Sequence, residues 1–113
     1  MRPGDICLAQ LPFGDVPGMK LRPVLLLTGP IGAIPEVLVA YISSVVPIQL
    51  LPSDLLLDPG KPEFRSTHLK TASALRLHKL ATIHASSLAR YLGAIDMAAS
   101  ALVATTLRAL LFE

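Results

Sequence analysis

The chain has 113 residues, a length that suits one domain with a single hydrophobic core. Apolar residues make up 52% of it and charged residues 16%, which argues against a disordered chain, and one cysteine argues against a disulfide-stabilised scaffold. The net charge is only +2. We therefore predict one domain over residues 1–113. Because the chain opens without a secretory signal pattern, we expect it to be cytoplasmic.

The apolar stretch at residues 23–53 has Glu36 as its one charged residue and is long enough to span a bilayer. Four prolines interrupt it and leave pieces shorter than the ~20 apolar residues that a spanning helix requires. We therefore predict short buried strands and no membrane segment. These prolines are Pro30, Pro35, Pro47 and Pro52.

The first half of the chain alternates apolar runs with turn formers. Residues 5–11, 23–28 and 36–43 are predicted strands, and residues 50–57 contain a fourth that Pro52 bends. Residues 13–23, rich in glycine and proline, are predicted to form a loop between the first two strands.

The second half of the chain predicts two more strands and a helix. Residues 73–77 alternate polar and apolar, and residues 90–95 form another short run. Asp96 is a suitable N-cap for a helix over residues 97–111, which contain neither glycine nor proline. The order predicts a mainly β fold with α, a small β-barrel or β-sandwich closed by a C-terminal helix. The expected buried stripe of the helix consists of Met97, Leu102, Leu107, Leu110 and Leu111.

Basic residues concentrate in one segment. Residues 61–90 contain six lysines and arginines against Glu63 alone, together with all three histidines. Such a cluster is typical of a surface that binds nucleic acid. It is also typical of a basic protein surface that is simply exposed to solvent. The histidines and the single cysteine lack compact ligand spacing, so we predict neither a metal nor a cofactor.

Two pairs of residues are candidates for binding a ligand or for catalysis. Lys20 and Arg22 lie at the mouth of the second predicted strand, where Arg22 either pairs with Asp15 or Asp5 or faces a ligand. Arg76 and His78 are two positions apart, so a strand would present both on one face.

Four segments, in this order and at these spacings, resemble the MazF/PemK family of toxin-antitoxin toxins. They are Gly4-Asp5-Ile6, the loop Phe13-Gly14-Asp15-Val16-Pro17-Gly18-Met19-Lys20-Leu21-Arg22-Pro23-Val24-Leu25, Ala40-Tyr41-Ile42-Ser43-Ser44, and Leu75-Arg76-Leu77-His78-Lys79-Leu80. The resemblance covers nearly the whole chain. It implies an SH3-like barrel, a homodimer, sequence-selective and metal-independent cleavage of single-stranded RNA, and a cognate antitoxin protein.

The resemblance also implies roles for individual residues. Arg22 matches the loop arginine at the scissile phosphate, Ser43 the hydroxyl residue that supports it, and Arg76 a second active-site arginine. His78 stands where the PemK-like branch usually has aspartate, so the general base stays open. The segments that match also contain four residues that we predict to bind the substrate, namely Asp15, Lys20, Ser44 and Lys79.

This set suits RNA cleavage by the attack of a 2′-hydroxyl on the adjacent phosphorus, which leaves 2′,3′-cyclic phosphate and 5′-hydroxyl ends. Arginine matches phosphate oxygens with a planar fork of donors, and histidine titrates near neutral pH. Two alternatives remain. One is a toxin with the same barrel that poisons DNA gyrase, and the other is an inactive relative that only binds a partner.

Overall fold

Six antiparallel strands and one α-helix make up the fold of the residues that the structure describes. The computed structural model describes the backbone of residues 1–13 and 16–113, and the side chains of residues 1–11 and 20–113. The strands of the sheet lie in the order β4-β5-β3-β2-β1-β6, which confirms the predicted fold class. They are β1 (Asp5–Phe13), β2 (Val16–Leu26), β3 (Glu36–Ser43), β4 (Asp54–Leu57), β5 (Ser73–His84) and β6 (Leu88–Ala94), and the helix α1 spans Met97–Phe112.

The predicted loop at residues 13–23 is wrong, because most of it belongs to β2. Leu11 pairs with Lys20 and Ala9 with Arg22, so β1 and β2 form a long hairpin. The glycines and prolines of this segment indicated a loop, but ladder pairing along the hairpin outweighs their low strand propensity. Arg22 therefore lies inside a strand.

Other strand boundaries also shift. Strand β5 continues to His84, beyond the predicted end at residue 77, because β3 pairs with it from Ala74 to His84, while β4 pairs with its first four residues, Ser73 to Arg76. Strand β4 covers only the second half of the predicted window, and β6 begins two residues earlier than predicted. The predicted strand at residues 36–43 is confirmed.

Apolar side chains of the sheet form two buried clusters on its opposite faces. In β2, Leu25 joins the cluster under α1, whereas Val24 and Leu26 join the other, as the period of two requires. The second cluster is covered by other residues of the strands. The sheet therefore curves around this cluster, as the sheet of a small barrel does. The residues that pack there are Tyr41, Ala81, Ile83 and Leu88.

Helix α1 begins as predicted, since the Asp96 carboxylate accepts a hydrogen bond from the Ala99 amide at 2.8 Å. The predicted buried stripe is wrong in all but Leu107. Ala99, Val103 and Leu107, spaced four residues apart, pack against the core, and this spacing sets the docked face. The remaining predicted residues are exposed, namely Met97, Leu102, Leu110 and Leu111. Within the described residues, no helix is long and apolar enough to cross a membrane.

A 3₁₀ helix at Pro62–Thr67 covers the outer edge of β6. The Ser66 hydroxyl donates to the Ala94 carbonyl at 2.7 Å, and Nδ1 of His68 lies 2.8 Å from the Leu92 carbonyl oxygen. These side chains satisfy carbonyls on the open side of an edge strand. The backbone approaches so closely that only glycine fits at position 93, where a Cβ would lie 2.2 Å from the Ser66 carbonyl oxygen.

Candidate active site

A cavity of about 220 Å³ opens where β1, β2, β3 and β5 meet. Five of the residues that the sequence analysis singled out line it, together with several apolar side chains. The five are Arg22, Ser43, Ser44, Arg76 and Lys79. The apolar lining is formed by Leu11, Pro23, Tyr41, Ile42 and Val45.

Strand register explains why these residues converge. Tyr41 of β3 is opposite Val24 of β2 on one side and opposite Arg76 of β5 on the other. Arg22 precedes Val24 by two positions and Ser43 follows Tyr41 by two, so all of them share one face of the sheet. That face carries two arginines from strands that do not pair with each other.

Arg76 is held by a buried carboxylate that sequence reasoning missed. Its Nε lies 2.5 Å from Oδ1 of Asp54, whose side chain is completely buried. The other carboxylate oxygen accepts a hydrogen bond from the Leu51 amide at 2.8 Å. The available signal was that Asp54 is the one charged residue in the 21-residue stretch from 37 to 57.

His78 lies beside this ion pair, and it is not one of the described residues that line the cavity. Leu75 and Leu77 point into the core, so Arg76 and His78 share the opposite face, as predicted. Nδ1 of His78 is 2.9 Å from the Ser53 hydroxyl and 3.9 Å from Oδ1 of Asp54. His78 lies within a register shift of the pairing with β3, between Arg76 and Leu80, and Lys79, in the same shift, lines the cavity.

Ser43 ends β3 and organises the turn that leaves it. Its hydroxyl oxygen accepts a hydrogen bond from the Val45 amide and lies equally far, 3.2 Å, from the Val45 carbonyl oxygen. This is the local side-chain contact by which serine favours a turn. Ser44, the next residue, is exposed beside the cavity.

The other predicted ligand-binding residues are less central. Lys20 is exposed on β2, two residues before Arg22. Asp15 lies outside the described residues. The carboxylate of Asp5, a partner considered for Arg22, accepts a hydrogen bond from the Arg2 amide at 2.9 Å and lies 3.8 Å from the N-terminal amine. His84 is exposed at the end of β5.

Cys7 has the environment of a core residue. It is 3% exposed, and burial, reinforced by the negative charge of Asp5, raises the pKa of its thiol. The thiolate is therefore disfavoured at neutral pH, and Cys7 is a poor nucleophile. Across the part of the chain that the structure describes, no three histidine, cysteine or carboxylate side chains are grouped as metal ligands.

The chain matches a known protein family over nearly its whole length. The sequence profile of the family described as "PemK-like, MazF-like toxin of type II toxin-antitoxin system" matches residues 2–111. No curated protein is significantly similar to the chain in sequence.

Solved structures share the fold. "Mycobacterium tuberculosis toxin MazF-mt6" superposes with a TM-score of 0.70 at 25% identity, covering 93% of each chain. "Endoribonuclease in complex with its cognate antitoxin from Mycobacterial species" superposes with a TM-score of 0.68 at 16% identity, over 98% of this chain and 94% of that one. "Endoribonuclease from Mycobacterial species" does so with a TM-score of 0.66 at 16% identity, over 98% and 90%.

Proposed function

The chain belongs to the family of PemK-like, MazF-like toxins of type II toxin-antitoxin systems, and on this premise we propose that it cleaves single-stranded RNA sequence-selectively and without a metal ion. The observation that carries the proposal is the convergence of Arg22, Arg76 and Lys79 on one cavity. Two structural neighbours are described as endoribonucleases, which supports the same activity. We place the reaction in the cytoplasm.

The cations suit the charge that develops during the reaction. When the 2′-hydroxyl of RNA attacks the adjacent phosphorus, negative charge accumulates on the equatorial oxygens of the phosphorane. Arg22 and Arg76, from β2 and β5, offer forked donors to these oxygens, and Lys79 adds a third cation. Donors held in place before the reaction lower the barrier because they need no rearrangement when the charge appears.

Proton transfer is the second requirement. We assign it to His78, whose Nδ1 is engaged by Ser53, so that Nε2 is the nitrogen left to take the proton from the 2′-hydroxyl. The same nitrogen would return that proton to the 5′-oxygen as the bond between phosphorus and the 5′-oxygen breaks. Ser43, which lines the cavity, would donate to a non-bridging oxygen. Further contacts to the RNA chain are assigned to Asp15, Lys20 and Ser44.

The test is incubation of the purified protein with a long RNA in the presence of a chelator, followed by primer extension and analysis of the ends. We expect discrete cuts at a short recurring sequence, with 2′,3′-cyclic phosphate and 5′-hydroxyl termini. Intact RNA together with inhibited DNA gyrase would instead identify a gyrase poison. Intact RNA with normal gyrase would indicate a relative that only binds a partner.

Inhibition by a cognate antitoxin is expected because the cavity combines three cations with apolar lining. An acidic, partly disordered segment would cover it through charge complementarity and inserted apolar side chains. One structural neighbour was solved with its cognate antitoxin. We expect the protein encoded beside this one to suppress cleavage, and added salt to slow association more than it speeds release.

Competition for the cavity is measured with a fluorescent DNA analogue of the RNA target, which lacks the 2′-hydroxyl and stays uncut. The antitoxin should displace it at stoichiometric concentration. A ternary complex of toxin, antitoxin and oligonucleotide, or cleavage that continues at full antitoxin occupancy, would place the antitoxin elsewhere.

We also propose that the protein is a homodimer. Large apolar side chains stand exposed along α1, including Met97 at 90%, Leu102 at 51% and Phe112 at 82%. Several large apolar side chains left exposed on one helix are typical of an interface. Sedimentation velocity at micromolar concentration should show a dimer, and Leu102→Glu should shift it toward monomer, whereas Ile34→Glu, in the β2–β3 connection, should not. A stable wild-type monomer would contradict the proposal.

A further inference from the structure

Asp54 occupies a position that is costly for a carboxylate. It begins β4 directly opposite Arg76 of β5, and its side chain has no exposed surface. A buried charge destabilises a fold unless it is paired and hydrogen bonded, and Asp54 meets both conditions. We propose that Asp54 is a positioning residue for RNA cleavage, which holds the guanidinium of Arg76 in its working orientation. This inference rests on the proposed function.

Two hydrogen bonds hold Asp54 to Leu51, one through its carboxylate and one through its backbone amide. Oδ2 accepts a hydrogen bond from the Leu51 amide, while the Leu51 carbonyl accepts one from the Asp54 amide at 2.9 Å. This reciprocal contact orients the carboxylate group against the backbone. Oδ1 therefore stands at a defined point, 2.5 Å from Nε of Arg76.

A fixed Nε sets the plane of the guanidinium. Arginine has a long side chain with many rotamers, so an unsupported guanidinium samples a large volume. With Nε bound to Asp54, the four N–H groups on the two Nη atoms remain to meet a phosphate in the cavity that Arg76 lines. Donors placed in advance contribute most to charge stabilisation in the transition state.

The Asp54 carboxylate also lies near His78, at 3.9 Å from Nδ1, while the adjacent Ser53 contacts that nitrogen directly. The start of β4 thus touches both residues of β5 that the mechanism uses. Of these two residues, Arg76 is the closer to the carboxylate.

A double-mutant cycle tests the proposal through kcat and KM for a defined RNA oligonucleotide. Asp54→Asn keeps an acceptor oxygen but removes the charge, and we expect it to lower kcat by about 10²-fold while KM changes by less than about threefold. Arg76→Ala should have at least as large an effect. The double variant should be no slower than Arg76→Ala alone, since Asp54 acts through Arg76.

Asp58→Asn is the matched control. The same chemical change four residues later affects a carboxylate whose Oδ1 accepts a hydrogen bond from the Gly60 amide in an exposed turn. Its kcat should stay within about twofold of wild type. Wild-type kcat in Asp54→Asn, or losses that multiply in the double variant, would overturn the proposal.

A measurement on the wild-type protein decides the question even when Asp54→Asn does not fold. The ¹⁵N-¹H resonance of Arg76 Nε should be resolved and slow to exchange with water, and a rapidly exchanging Nε–H would overturn the proposal. If the wild-type protein cleaves no RNA, the proposed function fails and the catalytic purpose of the pair fails with it. A protected Nε–H in that case shows that the pair itself exists, so the two failures are distinguishable.

Discussion

Replacing Arg22 with alanine should reduce RNA cleavage by about 10²-fold or more and leave the fold intact. Arg22 lies on β2 opposite Ala9 of β1, and its side chain lines the cavity. In the proposed reaction, loss of a forked donor removes stabilisation of the charge on the phosphorane, and it should leave the pairing of β1 with β2 unchanged. Cleavage of a fluorescent RNA oligonucleotide gives the rate, and circular dichroism with thermal unfolding monitors the fold.

Two further variants sharpen this test. Arg22→Lys keeps the charge but lacks the planar fork, so it should recover only part of the lost activity. Arg2→Ala removes an arginine side chain that is exposed near the N-terminus, and it should cleave at the wild-type rate. Full activity in a folded Arg22→Ala protein would show that the phosphate lies elsewhere.

Gly93→Ala should destabilise the protein by about 3 kcal/mol, which lowers Tm by roughly 10 °C in a domain of this size. The added Cβ would lie 2.2 Å from the Ser66 carbonyl oxygen and 2.7 Å from the Thr67 carbonyl oxygen. Both atoms belong to the backbone, which cannot move aside as a flexible side chain does. The 3₁₀ helix would have to lift from β6 and lose the hydrogen bond from Ser66 to Ala94.

Gly29→Ala provides the matched comparison for this stability measurement. A Cβ at position 29 would meet its nearest atom, the Met1 carbonyl oxygen, at 3.5 Å, an ordinary contact distance. Its Tm should stay unchanged or rise slightly, because alanine reduces the entropy of the unfolded chain. Equal Tm values for the two variants would mean that the 3₁₀ helix packs less closely on β6 than described.

Local sequence patterns were sufficient for several features of this protein. Residues 36–43, rich in β-branched and aromatic residues, form β3, and Asp96 caps α1, because propensity and capping act between near neighbours. Arg76 and His78 share a face because alternation along a strand is also local. The resemblance to the toxin family was likewise carried by short segments, and the family profile confirms it.

Contacts between distant parts of the chain were decided only by the tertiary structure. The pair of Asp54 with Arg76 joins residues 22 positions apart, and it exists because β4 aligns with β5 in one register. The hairpin that places Arg22 inside β2 also depends on pairing between distant residues. The same holds for the face of α1 that packs on the core. Propensity is weak beside ladder pairing and burial, so wherever local signals and long-range packing disagree, packing determines the structure.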